Sequence, residues 1–276
     1  PPAAYAVGKA KREEERQRTR RTLPRSCGKI MCIRFVVNND DYITGFNFDI
    51  DLTVWTHRVI LEKDRFFIGI LRPDGVYHSY HGVNRNGNTA TLLYVHPAGK
   101  AKWASGKEQN PAGTIQISDL TEQFIRGNLT FDEVSGLLEK KEVIYAPDAS
   151  MQALLSDASG RVMILEPGIG YRIERRRYSL LSNYSILDPA STKPFLVPGD
   201  DRYERAERRL ENDTERFSVK DALSLLYDVR QEGVWATRVS FVYSGNAGTV
   251  TWVENNRFDQ QMEYRFPSAE TAHHKE

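Results

Sequence analysis

Cys32 is the residue of this sequence best placed to act as a nucleophile. It directly follows Met31, the first methionine of the chain. Removal of Met31 would leave Cys32 with both a thiol and a free α-amino group. An α-amine with a pKa of about 8 can accept the thiol proton near neutral pH. Free cysteine is also often a small residue of a buried core, so the dipeptide alone leaves both interpretations open.

The residues around Cys32 have the composition of β-strands. Residues 32–37 and 42–48 are apolar and β-branched, and the turn-forming segment Asn38-Asn39-Asp40-Asp41 separates them. The same pattern predicts further strands over residues 54–61, 65–71, 76–83 and 89–95. A loop rich in Pro, Gly and Lys follows at residues 96–113. The N-terminal part of the chain is therefore predicted to be a run of antiparallel strands.

Helices and strands then alternate in blocks. Helices are predicted at residues 117–126 and 130–141, and the second begins with the capping box Thr130-x-x-Glu133. Strands follow at residues 151–156, 161–166, 171–176 and 179–183. Two more helices at 200–212 and 218–231 precede final strands at 239–243, 249–254 and 263–266. Such blocks predict an α+β fold of antiparallel sheets covered by helices, and they argue against a βαβ repeat.

The positive charge of the chain is confined to its first 31 residues. These hold nine of the 38 Lys and Arg and three of the 37 Asp and Glu, which leaves 29 basic and 34 acidic residues in the remainder. An acidic body argues against a nucleic-acid-binding surface. We therefore predict a leader over residues 1–31 and a single domain over residues 32–276.

Three interpretations of this leader stay open: a propeptide, a basic arm, or translated sequence upstream of the true start, which we favour. The leader has no apolar core of a secretory signal, and no apolar run in the chain reaches the ~20 residues of a membrane span. The two cysteines, Cys27 and Cys32, are too far apart for a CxxC pair. We therefore expect a cytoplasmic protein without a membrane partner.

Four further segments combine with Cys32 into a resemblance. Gly45-Phe46-Asn47-Phe48-Asp49 and Gly82-Val83-Asn84-Arg85-Asn86-Gly87 follow it in order. Leu181-Ser182-Asn183-Tyr184 and Pro198-Gly199-Asp200-Asp201-Arg202-Tyr203 come later. Over residues 32–266 the sequence resembles the choloylglycine hydrolase and penicillin V acylase family, whose members are N-terminal-nucleophile hydrolases.

The resemblance implies a four-layer αββα sandwich and a cysteine amidase that cleaves linear N-acyl amides. Cys32 would attack the amide carbonyl and Asp49 would hold the terminal residue. Asn183 would form the oxyanion hole with Asn84 beside it, and Arg202 would be an arginine of the site. An amide dipole aimed at a developing oxyanion contributes roughly 3–4 kcal/mol in comparable sites. No cofactor, no metal and no nucleic acid is implied, and the partner is a small N-acyl amide.

Each of these residues also has a plain structural interpretation. Asp49 could cap a turn, and Asp51 is an alternative on the same strand face. Asn84 stands in a good turn sequence, and Asn183 could end a strand. Arg205 lies one helical turn from Arg202 and could replace it.

The sequence departs from the family at Phe46, where the family has arginine. An apolar ring there removes a fixed cation next to the nucleophile, and Arg34 on the neighbouring strand is a candidate replacement. This departure motivates a second hypothesis, a catalytically silent member of the fold that binds a small molecule. A third is an interaction module with a basic N-terminal arm. The oligomeric state stays open, with a homo-oligomer among the alternatives.

Overall fold

Two antiparallel β-sheets stacked face to face form the centre of the structure. This computed structural model describes residues 32–97, 101–105, 111–212 and 216–267. The predicted leader, residues 1–31, lies outside these ranges. The six-stranded sheet has the order β12 (Tyr178–Leu181), β1 (Ile33–Asn38), β2 (Tyr42–Asp49), β13 (Thr237–Ser244), β14 (Thr249–Glu254) and β15 (Met262–Arg265). The seven-stranded sheet has the order β11 (Gly170–Glu174), β10 (Val162–Glu166), β9 (Met151–Ser156), β6 (Thr89–Tyr94), β5 (Tyr77–Asn84), β4 (Arg65–Leu71) and β3 (His57–Glu62).

Helices cover the outer face of each sheet. Helices α1 (Ile117–Ile125) and α2 (Phe131–Leu138) pack on the seven-stranded sheet. A short helix α3 (Pro189–Thr192) precedes α4 (Arg202–Asn212) and α5 (Val219–Asp228), and the last two pack on the six-stranded sheet. The layers therefore run helix, sheet, sheet, helix, and the predicted four-layer αββα sandwich is confirmed.

Capping boxes begin two of these helices, and the first of them was predicted from sequence. The Thr130 hydroxyl accepts from the backbone N–H of Glu133, whose carboxylate accepts from the Thr130 N–H. Ser218 and Asp221 make the same reciprocal pair at the start of α5. These contacts satisfy backbone donors that a helix leaves free at its first turn. Within the described ranges, no helix has the length and apolarity to cross a lipid bilayer.

Strand β1 is buried on both faces, which explains why its residues are apolar apart from Arg34 and the terminal Asn38. Ile33, Phe35 and Val37 pack against helices α4 and α5, whereas Cys32 and Val36 belong to the core between the sheets. Alternate residues of a strand point to opposite faces. Cys32, the residue just before β1, therefore directs its side chain into the space between the two sheets.

The bounds of the longer strands were predicted to within a few residues, but one pair of short strands was not predicted. Strands β7 (Thr114–Gln116) and β8 (Glu142–Ile144) form a parallel pair of three residues each. Segments this short carry no readable period, so their pairing depends on the packing of α1 and α2 between them.

Candidate active site

Cys32 lies between the sheets, at the end where β1 begins and β2 ends. Its side chain is buried, and Sγ lies 3.8 Å from the backbone carbonyl oxygen of Asp49. Burial, followed by the nearby Asp49 carboxylate, raises the pKa of the Cys32 thiol far above its ordinary value. With residue 31 attached, the thiol is therefore protonated at neutral pH and is a poor nucleophile.

The Asp49 carboxylate is fully buried and has two donors. Arg202 Nη1 donates to Oδ2 at 2.8 Å, and Thr237 Oγ1 donates to Oδ1 at 2.6 Å. Arg202 is itself buried and also contacts Asp200 at 2.9 Å. Burial raises the pKa of Asp49 to about 7, although Arg202 and Thr237 act in the opposite direction. A buried carboxyl–guanidinium pair therefore lies directly beside the candidate nucleophile.

The structure distinguishes these residues from their sequence neighbours. Asp51 accepts from the backbone N–H and the hydroxyl of Thr53, so its carboxylate caps a turn. Arg205 pairs at 2.9 Å with Asp201, the residue just before its own helix, and both side chains are exposed. Asp49 rather than Asp51, and Arg202 rather than Arg205, therefore form the contact next to Cys32.

Asn183 follows β12, the strand that pairs with β1, at the end of the pair where Cys32 precedes β1. Leu181, the last residue of β12, stands opposite Arg34, and Asn183 lies in the bend two residues later. Asn183 Nδ2 donates to the carbonyl oxygen of Tyr94 at 2.6 Å. Its Oδ1 is buried, and no residue in the described part of the chain donates to it. A buried acceptor without a donor is uncommon, which makes this atom a candidate for a further hydrogen bond.

Asn84 is not brought to this group. Its Oδ1 accepts from the backbone N–H groups of Asn86 and Asn88, so its side chain holds the turn between β5 and β6. Strand β6 begins after this turn at Thr89 and ends at Tyr94, which lines the cavity together with Cys32. At about 3.3 Å per residue, the five residues from Thr89 to Tyr94 span about 16 Å. The structure therefore supports the turn interpretation of Asn84.

Phe46 and Arg34 lie in the core between the sheets. The Phe46 ring is fully buried and contacts the rings of Phe48, His81 and Phe241. Arg34 donates from Nη2 to Ser156 Oγ at 3.1 Å and does not contact Asp49. Arg34 therefore does not occupy the place of an arginine at position 46.

A cavity of about 60 Å³ lies beside Cys32 between the sheets. The wall beside Cys32 and Asp49 is mostly apolar and consists of Phe48, Ile50, Trp55, Ile70, Tyr80, His81, Leu92, Tyr94, Ile117, Ala146, Ala149 and Met151. Arg72, Ser118 and Asp148 complete the wall, and Arg72 pairs with Asp148 at 2.7 Å.

Sequence reasoning missed His81 as a residue of this cavity. His78 and His81 lie three residues apart on β5, a spacing that puts their rings on opposite faces of the strand. His78 indeed contacts Asp74 and Glu122 outside the cavity lining. No cluster of three potential metal ligands occurs among the described residues. The available signal was the strand alternation that puts His81 on the inner face.

Comparisons with known proteins add structural neighbours but no sequence relatives. No protein-family model matches the chain, and no curated protein matches its sequence. A variant of conjugated bile acid hydrolase from Clostridium perfringens has a TM-score of 0.61 at 14% identity, over 85% of this chain and 92% of that chain. Penicillin V acylase from Agrobacterium tumefaciens has a TM-score of 0.54 at 16% identity, over 81% and 83%.

A third neighbour is the Caenorhabditis elegans ortholog of N-acylethanolamine-hydrolyzing acid amidase. Its TM-score is 0.52 at 14% identity, over 86% of this chain and 100% of that chain. All three neighbours are N-terminal-nucleophile hydrolases. The chain has the N-terminal-nucleophile hydrolase fold. Cys32 directly precedes β1 and lies next to the buried Asp49 carboxylate.

Proposed function

We propose that this protein is a cysteine amidase that hydrolyses a linear N-acyl amide with Cys32 as its nucleophile. One observation carries the proposal: the Cys32 thiol lies at one end of a mostly apolar cavity and beside the buried Asp49–Arg202 pair. The structural neighbours are a conjugated bile acid hydrolase, a penicillin V acylase and an N-acylethanolamine-hydrolyzing amidase. Their substrates support an N-acyl amide as the substrate class.

The mechanism requires the chain to begin at Cys32. The freed α-amine accepts the proton of the thiol, and Sγ attacks the carbonyl carbon of the amide. The tetrahedral intermediate collapses to a thioester as the C–N bond breaks, and the proton from the α-amine goes to the leaving amine. Water then attacks the thioester with the α-amine as base, which releases the carboxylic acid and restores the thiol.

The residues around Cys32 take positioning and electrostatic roles in this mechanism. Asp49, fixed by Arg202 and Thr237, holds the α-ammonium group of Cys32. The unpartnered Oδ1 of Asn183 accepts a hydrogen bond from the same group. Asn183 Nδ2 has a second hydrogen besides the one given to Tyr94, and this hydrogen stabilises the oxyanion. Asn84 has no part in the mechanism.

The protein is inactive while residues 1–31 remain attached. Cys32 nitrogen is then part of a peptide bond and cannot act as a base. The buried thiol also keeps its proton, because burial raises its pKa. Cleavage before Cys32 places a positive charge on the same residue, and that charge favours the thiolate.

The cavity selects an apolar acyl group. Phe48, Ile70 and Leu92 are among the side chains that surround it, and burying one apolar side-chain equivalent contributes on the order of 2–3 kcal/mol. Phe46 leaves the site without a fixed cation at its position. We therefore expect weak activity on anionic bile salts and better activity on neutral N-acyl amides.

The test compares three proteins: the full chain, a chain that starts at Cys32 after methionine removal, and the Cys32→Ser variant of the second. Each is incubated with a panel of N-acyl amides, and the released acid is measured by mass spectrometry. We expect activity only in the Cys32-initiated wild type, with the fold unchanged in Cys32→Ser by circular dichroism. Full activity of Cys32→Ser on every substrate, or an active protein that keeps the leader, would refute the proposal.

A second candidate function is binding of a small apolar molecule without catalysis. The phenyl ring at position 46 and the raised pKa of the Cys32 thiol favour it. It predicts that the Cys32-initiated protein binds acyl amides in the cavity but releases no acid from any of them. Labelling with iodoacetamide separates the two functions, since only a thiolate at Cys32 reacts rapidly.

A further inference from the structure

His81 is held in one orientation inside the cavity wall. Its ring stacks on Phe46, with centroids 5.3 Å apart and an interplanar angle of 17°, and it lies 4.9 Å from the ring of Phe48. The backbone N–H of Leu92 donates to His81 Nδ1 at 3.1 Å. A ring nitrogen that accepts a hydrogen bond carries no proton, so the proton of this neutral imidazole is on Nε2.

The Nε2–H group of His81 has no protein acceptor in the described part of the chain. The side chain is 5% exposed and it lines the same cavity as Cys32. Burial lowers the pKa of His81 to about 3, so the ring stays neutral across the physiological range. The cavity therefore contains a fixed, uncharged hydrogen-bond donor in a mostly apolar wall.

This donor is close to the candidate nucleophile. Ile33 pairs with Asn47, so continuing the register by one residue puts Phe48 opposite Cys32. The Phe48 ring contacts His81, which places His81 one aromatic side chain away from the thiol. An acyl group attached to a carbonyl at Cys32 would therefore pass the His81 ring within its first few carbons.

We propose that His81 is a substrate-binding residue whose Nε2–H donates to an oxygen on the acyl chain. This inference rests on the proposed function for the idea that an acyl group fills the cavity. An all-carbon chain would leave the buried donor without a partner, which is unfavourable, whereas a keto or hydroxyl oxygen would satisfy it. The substrate class is thus an amide of an oxygenated acyl chain.

The experiment measures binding separately from hydrolysis. The full-length Cys32→Ala variant is titrated by calorimetry with N-ethyl octanamide and with five counterparts that carry a keto group on successive carbons from C3 to C7. We expect one keto position to bind about five- to tenfold more tightly than N-ethyl octanamide. The same ligand should shift the His81 Nε2 resonance in a histidine-labelled sample, whose spectrum also reports the tautomer.

The matched variant is His81→Asn in the same Cys32→Ala background. Asparagine Oδ1 can still accept from the Leu92 N–H, but its amide nitrogen does not reach the position of Nε2. We expect this variant to bind all six ligands with nearly equal affinity. His96→Asn, at a histidine outside the cavity lining, should keep the preference of the parent protein. A purely structural role of His81 would weaken all six ligands equally.

The outcomes separate this inference from the proposed function. If no ligand binds, or if no keto position is preferred, the inference is overturned. A Cys32-initiated enzyme that hydrolyses the ligands without any keto preference keeps the proposed function and overturns the inference. A keto preference that disappears in His81→Asn, with no hydrolysis by the Cys32-initiated wild type, supports the inference and refutes the proposed amidase.

Discussion

Arg34 and Phe46 stand directly opposite each other on neighbouring strands, and both side chains are fully buried between the sheets. The Arg34 guanidinium donates to the carbonyl oxygen of Phe35 at 2.7 Å and to Ser156 Oγ at 3.1 Å. No carboxylate pairs with it within the described residues. Burial lowers the pKa of Arg34 to about 10, which leaves it charged at neutral pH. One face of this strand pair therefore already holds an uncompensated cation.

Replacing Phe46 by arginine should destabilise the fold and lower turnover. The new guanidinium would face Arg34 across the strand pair and would also remove the ring that stacks on His81. Two buried like charges without a carboxylate are costly, and we expect a loss of more than about 3 kcal/mol in the free energy of unfolding. Urea denaturation of both proteins, with amide hydrolysis by Cys32-initiated chains, measures the two effects.

The double variant Phe46→Arg with Arg34→Met is the control for this effect. If repulsion between the two guanidinium groups is the cause, the second substitution should recover a large part of the lost stability. Equal or higher turnover in Phe46→Arg alone would contradict the prediction. It would indicate that Phe46 only removed a catalytic charge and that its packing against His81 is not needed for turnover.

Replacing Arg34 by methionine should stabilise the protein. The groups that Arg34 contacts keep other partners, because the Phe35 carbonyl also accepts from Thr44 Oγ1 and Ser156 Oγ bonds to Tyr42 Oη at 2.6 Å. Apolar replacement of buried charges is often neutral or stabilising by about 1–4 kcal/mol. We expect a higher urea midpoint for Arg34→Met. Arg34→Lys keeps the charge and should show no gain, and a clear loss of stability in Arg34→Met would contradict this account.

Stability should fall as the pH rises from about 4 to about 7, because of Asp49. Its pKa is raised from 3.8 to about 7 in the folded chain, so the folded state keeps a proton that the unfolded state releases in this window. A difference of about three pKa units corresponds to about 4 kcal/mol at most. The measurement is the difference in unfolding free energy between wild type and Asp49→Asn at pH 4.5, 6 and 7.5.

The Cys32-initiated protein provides the control for this pH dependence. An α-ammonium group beside Asp49 favours the carboxylate and lowers its pKa. The difference between wild type and Asp49→Asn should then change less with pH than in the full chain. The same slope in both proteins would place the α-amine away from Asp49 and would remove the support for its role.

Arg202→Gln should be far more destabilising than Arg205→Gln, although the two arginines lie one turn apart on α4. Arg202 is the buried partner of Asp49, and removing one member of a buried pair costs about 3–5 kcal/mol. Arg205 pairs with Asp201 near the surface, where such pairs contribute at most about 1 kcal/mol. Thermal unfolding of the two variants at equal pH compares them directly. Similar losses of stability in the two variants would mean that the buried Asp49–Arg202 pair contributes no more than the surface pair.

The pattern of strands and helices was sufficient to predict antiparallel sheets covered by helices, whereas the four layers and the choice of Asp49 and Arg202 came only from the resemblance. Alternation and capping boxes are local properties, so strands such as β4 and helices such as α5 could be read directly. The choice of Asp49 over Asp51, and of Arg202 over Arg205, depends on how α4 packs on the six-stranded sheet. That packing brings together residues 153 positions apart, which no local pattern encodes.

Asn84 shows the opposite difficulty. Its motif fits a turn and a catalytic segment equally well, and only the pairing of β5 with β6 decides between them. This pairing sends the Asn84 turn to one end of the sheet and Tyr94 to the end that contains Cys32. The motif match therefore identified the right hairpin, but it selected a residue at the end of the hairpin away from Cys32.

Strands from the start of the chain pair with strands from its later part, and this order affects folding during synthesis. Asp49 contacts Arg202 and Thr237, which lie 153 and 188 residues further along the chain. During synthesis, Asp49 and the Cys32 thiol leave the ribosome long before these partners exist. Long-range contacts of this kind also make folding slow. The thiol is therefore exposed to oxidants during translation, until β12 and β13 have been made and have paired.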